Sequence, residues 1–206
     1  DDDDAADDDD AADDDDSAAD PGEAFIDQTY CLDWDTVTIT QPSSLGPILP
    51  IIGVNLSDFP LLLNPTAVDL PTGDIWMTMG VATTGTCTQD PTFSTIDVTD
   101  TGPGVYAAPH FDVGPAEIVM PTIQGDLTLF NTTMNGDFTG DAQQVVDSTV
   151  SGLLDASAFA SACSFPTIPC IPCPNAGPSD PDTCFVFTAT GGVWTNNGQG
   201  PLTYVP

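Results

Sequence analysis

Six cysteines and one histidine are the residues of this chain best suited to chemistry by type. Cys31 and Cys87 stand apart; Cys163, Cys170, Cys173 and Cys184 crowd into 22 residues near the C-terminus. Cys170-Ile171-Pro172-Cys173 has the spacing of a redox or zinc motif. A redox centre needs its first cysteine at a helix N-terminus or beside a basic group, which lowers the thiol pKa. Here Pro169, Pro172 and Pro174 favour a rigid extended loop, and the chain has no Lys or Arg. Zinc needs a second cysteine pair or paired histidines, and only Cys163, Cys184 and the distant His110 are on offer. The reading carried forward is three disulfides. Six cysteines allow 15 connectivities, and the expected one is Cys31–Cys87, Cys163–Cys173 and Cys170–Cys184.

His110 lies between Pro109 and Phe111, with Asp112 close by. A catalytic triad would need a nucleophile activated by this one imidazole. Ser148, Ser151 and Ser157 lack the Gly-x-Ser-x-Gly frame of a strained nucleophile turn. Asn135, Asp137, Thr139 and Asp141 place oxygens at alternating positions with Gly140 sixth, half of a calcium loop. Position five is Thr139 and position twelve is Val146, where the loop requires an acidic bidentate ligand. A tight turn at Asn135-Gly136 explains the same residues without metal. No cofactor is expected, and calcium is the one cation the pattern admits.

The chain has 206 residues, 32 Asp and Glu, and no Lys or Arg, for a formal charge of -32. That removes phosphate clamps, arginine fingers and counterion-releasing surfaces, so nucleic acid is excluded as a partner. Schiff-base chemistry on lysine is excluded as well, and the body has nothing to attract anionic lipid head groups. A charged partner must be cationic; otherwise the partner is hydrophobic. Thirteen of the acids fall in residues 1–20, as two Asp-Asp-Asp-Asp-Ala-Ala repeats, a third block of four Asp followed by Ser17-Ala18-Ala19, and a closing Asp20. Like charges repel and Asp forms helices poorly. Residues 1–22 are therefore expected to be a disordered acidic tether of up to about 70 Å.

The repeat running into Ser17-Ala18-Ala19-Asp20 resembles the spacers that follow the lipidated cysteine in some surface lipoproteins of Gram-negative bacteria. The resemblance implies export, an outer-membrane-surface or extracellular location, and a lipid anchor upstream of Asp1. Gly125–Ala156, the cysteine cluster and the Cys184-Phe185-Val186-Phe187 run together resemble secreted β-rich proteins of the same bacteria. That likeness implies export and carries no activity. An even cysteine number in an exported chain agrees with disulfides.

Residues 23–206 read as a single β-rich domain with a cysteine-rich loop region at 163–184. Thr36–Thr40, Ile75–Met79, Asp126–Asn131 and Cys184–Thr188 carry strand-type alternation or β-branching. Gly and Pro total 38 and cut the chain into short pieces. Turn signals stand at Pro71–Asp74, Thr101–Gly104, Asn135-Gly136, Gly191-Gly192 and Asn196–Gly198. Val145–Leu154 fits a helical face and a strand; Gly152 and its β-branched residues favour the strand. A short helix is expected over Ala156–Ala162, capped by Asp155 or Ser157. The fold class is mainly β, a sandwich or open barrel stapled by disulfides.

The run Leu45–Leu63 is too broken by Pro50, Asn55, Asp58 and Pro60 to span a membrane. Buried, it is core strands joined by proline bends. Alternatively Ile48, Ile51, Ile52, Val54, Phe59, Leu61 and Leu63 line an apolar interior that holds a hydrophobic ligand. Three functions follow: a non-enzymatic structural or binding module, a carrier, and a hydrolase using Asp and His110 or calcium. The first is expected, because no nucleophile motif is present. A closed cavity of several hundred Å³ would favour the carrier.

Overall fold

Alternation of apolar and polar residues builds ten strands among the described residues of a computed structural model of the protein. It describes residues 23–50, 55–58, 60–122, 125–157, 162–177, 180 and 183–206, with side chains omitted for 120–126. The strands are β1 (Tyr30–Asp33), β2 (Thr38–Gln41), β3 (Leu61–Asp69), β4 (Asp74–Val81), β5 (Ile96–Asp97), β6 (Gly104–Ala107), β7 (His110–Thr122), β8 (Gly125–Phe138), β9 (Gln144–Asp155) and β10 (Cys184–Asn196). Every pairing is antiparallel. The ring runs β1-β3-β4-β6-β7-β8-β9-β10 and closes where β10 pairs with β1. The mainly β fold is therefore a closed eight-stranded barrel, with β2 and β5 as extra strands on β10 and β4.

The closing strand is the one the sequence hides. Tyr30-Cys31-Leu32-Asp33 is only four residues long, yet it pairs with β3 on one side and β10 on the other. Closure removes both free edges of the ring, which would otherwise template aggregation. Gly191-Gly192 is not a turn but an irregularity inside β10, where the strand leaves β2 and joins β1. Gly191 takes a φ of +76°, and a Cβ on Gly192 would stand 2.7 Å from Ser148 Oγ. Asn135-Gly136 also lies within a strand. A Cβ on Gly136 would meet Val145 Cγ1 at 2.8 Å, so this glycine serves close packing of β8 on β9. The β8–β9 turn falls at Thr139–Gln143, where Ala142 adopts φ +53°.

The β9 strand is as expected, and it pairs with β8: Leu154 faces Leu129, and Val146 faces Asp137. Among its described residues, Leu45–Leu63 becomes strand only from Leu61. Its first part is the single α-helix among the described residues, α1 (Leu45–Ile48), with Leu45 and Ile48 buried. Pro42, Pro47 and Pro50 fix φ and remove ladder donors, so a helical turn wins over a strand there. The helix expected over Ala156–Ala162 falls mainly on 158–161, outside the described residues. Just ahead of that segment, Asp155 Oδ1 accepts from the Ser157 N–H at 2.8 Å. The acidic tether expected over 1–22 also lies outside the described residues.

The barrel core has two halves of different chemistry. One is aromatic: Phe25 stacks on Phe138 at 4.0 Å, and Tyr30, Tyr106 and Phe111 surround the pair. Tyr30 donates its hydroxyl to the Ala142 carbonyl, and burial pushes its phenol pKa up, with the charge of Asp141 adding to the shift. The other half is mostly aliphatic, with Trp194 fully buried among Leu32, Leu129, Leu154 and Phe185.

Candidate functional site

The interior retains a cavity of about 50 Å³ in the aliphatic half. Leu32, Met79, Leu129, Met134, Leu154 and Trp194 line it, with Leu45, Leu49 and Leu56 from the β2–β3 connection. Its polar wall group is Ser148, which donates to the Gly192 carbonyl at 2.8 Å and accepts from Trp194 Nε1 at 3.1 Å. Both contacts are intramolecular, so the serine holds the indole in place. An apolar space of this size is about a third of an engineered cavity that admits benzene. It has no room for a lipid chain.

Of the proposed ligand-binding residues, Leu61 lines this cavity, and Ile48 and Leu63 are buried in the core around it. Ile51, Ile52, Val54 and Phe59 lie outside the described residues. The interior contains no convergence of titratable groups among the described residues. Pattern reading missed Ser148 and Trp194, because their pairing depends on the register of β9 against β10, where Trp194 faces Val145.

His110 begins β7 and sits across from Asp137 on β8. Its Nδ1 contacts Asp137 Oδ1, and its Nε2 lies 3.4 Å from Asp112 Oδ2. Two carboxylates thus flank the only histidine, but the imidazole is 47% exposed. The hydrogen bond to Asp137 raises its pKa above the ordinary value; slight desolvation opposes the shift, and the charge of Asp112 adds to it.

A group whose folded pKa is raised contributes stability fully below its unfolded pKa, here about 6.5. That contribution fades as pH rises through the higher folded value. The expected size is under about 1 kcal/mol, because exposed pairs are screened by solvent. Urea midpoints of the native protein minus those of His110→Gln should therefore shrink from pH 6 to pH 9. A difference that is flat or grows with pH would refute the pairing.

The four calcium candidates fall on two elements, a strand and the turn that follows it. Asn135 and Asp137 belong to strand β8, and Asp137 is engaged by His110. Thr139 and Asp141 form their own turn: Asp141 Oδ1 accepts from Thr139 Oγ1 at 2.7 Å and from the Gln143 N–H at 3.1 Å. Those bonds hold the Asp141 carboxyl below its ordinary pKa, the Thr139 hydroxyl contributing most.

All six cysteines are paired, as Cys31–Cys87, Cys163–Cys170 and Cys173–Cys184. The first is the expected bridge. The other two correct the expected Cys163–Cys173 and Cys170–Cys184. Ile171 forms an isolated bridge with Cys184 on the edge of the barrel, which delivers Cys173 to Cys184. Asp155 lies opposite Cys184 across the β9–β10 ladder, and its carboxylate and the sulfurs of Cys173 and Cys184 all lie within 4.8 Å of one another. This is a potential metal-coordinating cluster, but its sulfurs are joined in a disulfide. Two sulfurs and one carboxylate suit a soft cation, not calcium, which takes six to eight oxygens. The sequence marks Asp155 only as a helix cap; its place beside the disulfide follows from register.

On the outer wall, Asp97, Asp100 and Glu117 border a groove of about 680 Å³ with Phe130, Asn131 and Pro174. No helix among the described residues is long and apolar enough to cross a membrane. No protein-family model, curated protein or solved structure matches this chain.

Proposed function

We propose that this protein is a non-enzymatic barrel module that acts through its outer surface, exported and held at the cell surface by its acidic N-terminal spacer. The observation that carries the reading is the filled interior: about 50 Å³ of apolar space whose polar wall group is already paired. A barrel of eight strands has an inside just wide enough for side chains or one small ligand, and here the protein's own side chains take the space. Contact then falls to the outside, where there is no Lys or Arg and a cationic partner meets no competing charge. The exposed setting of His110 and the lack of a nucleophile motif support a role without chemistry. The spacer-like repeat and the three disulfides support export.

Native mass spectrometry of protein purified from its source tests this reading. The expected spectrum shows the oxidised chain with no small molecule retained in the barrel, plus any mass contributed by an acyl anchor. A stoichiometric hydrophobic ligand released only on unfolding would overturn the reading in favour of a carrier.

A further inference from the structure

We propose that reduction of Cys173–Cys184 turns the end of the β9–β10 ladder into a thiolate–carboxylate site for a soft divalent cation such as zinc. Three chain segments hold the ligands, and backbone hydrogen bonds fix all three. Cys184 pairs with Asp155 in the β9–β10 register, and the Ala156 N–H donates to the Thr183 carbonyl at 3.0 Å. The Ile171 N–H donates to the Cys184 carbonyl at 2.6 Å, and the Cys184 N–H to the Ile171 carbonyl at 3.0 Å. Cys173 follows Ile171 by two residues and lies 3.3 Å through its sulfur from Thr183 Oγ1. None of these contacts depends on the disulfide, so the two thiols stay opposed once it opens.

The dimensions suit one metal ion. Zinc binds sulfur at about 2.3 Å and carboxylate oxygen at about 2.0–2.2 Å, so tetrahedral thiolates stand about 3.8 Å apart. Opening the disulfide lets its sulfurs relax to that spacing, and the mutual limit of 4.8 Å already includes the Asp155 carboxylate. Cys184 and Cys173 are buried, which excludes all but a fourth ligand such as water. The chain has no Lys or Arg to compete for Asp155. The steps balance. A dithiol reductant exchanges with the disulfide, leaving two cysteine thiols and its own cyclic disulfide. The cation then displaces two protons from the thiols, whose thiolates balance its charge, and the Asp155 carboxylate adds a third ligand that leaves the site with one net negative charge.

Cobalt(II) is the probe, added without oxygen to full-length protein reduced by a phosphine, with far-ultraviolet circular dichroism recorded on the same sample. The expected result is retained β signal and one cobalt per chain with a sulfur-to-cobalt charge-transfer band, absent from the oxidised protein and removed by zinc. Asp155→Ala should weaken binding by about tenfold or more, since even outer-shell changes at metal sites cost 10–100-fold. A chain carrying Cys163→Ser and Cys170→Ser should bind as the native sequence does. The proposal is overturned if the reduced chain shows no band or loses its β signal. Unchanged affinity in Asp155→Ala, or loss of binding without Cys163 and Cys170, overturns it equally.

Discussion

Phe138→Ala is expected to lower the unfolding free energy by about 3–5 kcal/mol, the range for buried phenylalanines. At the size of this domain that corresponds to a melting temperature lower by about 10 °C. Phe138 ends β8 and is 4% exposed. It stacks face to face on Phe25 at 4.0 Å with planes 4° apart, and lies 5.1 Å from Phe111, 5.8 Å from Tyr30 and 6.4 Å from Tyr106. Aromatic pairs add about 0.5–1.5 kcal/mol beyond the area they bury. The partner Phe25 comes from a turn ahead of β1, so the stack ties that turn to the barrel. Truncation leaves a cavity that four rings surround and cannot refill without moving strands. Val105→Ala, on the outside of β6 and 63% exposed, should change stability by less than about 0.5 kcal/mol. Denaturant titration of both variants decides the matter. Equal effects would mean the aromatic half is not the anchor of the core.

The contrast between Phe138 and the residues just before it shows what pattern reading can reach. Local alternation locates β4, β9 and the start of β10, because half-buried strands write their period into the chain. Pro71–Asp74 is legible for the same reason: it joins β3 to β4 at the place where the turn signal stands. Asn135-Gly136 misleads because glycine serves two ends. It permits turns, and it lets two backbones approach, and only Val145 lying against Gly136 tells which. Barrel closure is likewise invisible locally, since β1 is four residues whose meaning comes from β3 and β10. The six cysteines were readable as disulfides, but the pairing in the C-terminal loop was not. Cys173 reaches Cys184 because Ile171 docks on β10 first, a contact 13 residues apart in sequence. The candidate site follows the same rule: the cysteines stand out by type, while Asp155 joins them only through the ladder.

Replacing Cys31 and Cys87 together by Ala should cost about 4 kcal/mol, more than the loss of either other bridge. The bond joins residues 56 apart in sequence, whereas Cys163–Cys170 and Cys173–Cys184 span 7 and 11. A cross-link removes conformational freedom from the unfolded chain in proportion to the logarithm of the loop it closes. On that basis the shorter bridges contribute about 2 and about 3 kcal/mol. The native state adds to the same order. Cys31 lies on β1, the closing strand, and forms with Leu62 and Ala82 a small apolar cluster outside the main core. Cys87 and Leu202 pack against that cluster, and the Cys87 carbonyl accepts from Asn197 Nδ2 at 2.8 Å, in the turn that follows β10. The bridge therefore fastens the loop after β4 to the strand that completes the ring and sits beside the exit of β10. Its loss frees the unfolded chain and loosens the seam between β1 and its neighbours at once. Equilibrium unfolding in urea of three double-alanine variants, each retaining the other two disulfides, measures the order directly. If the Cys31–Cys87 variant proves no less stable than the Cys173–Cys184 variant, loop entropy does not govern this barrel. Cys173 and Cys184 would then contribute mainly through packing against Phe130, the partner they share in a separate buried cluster.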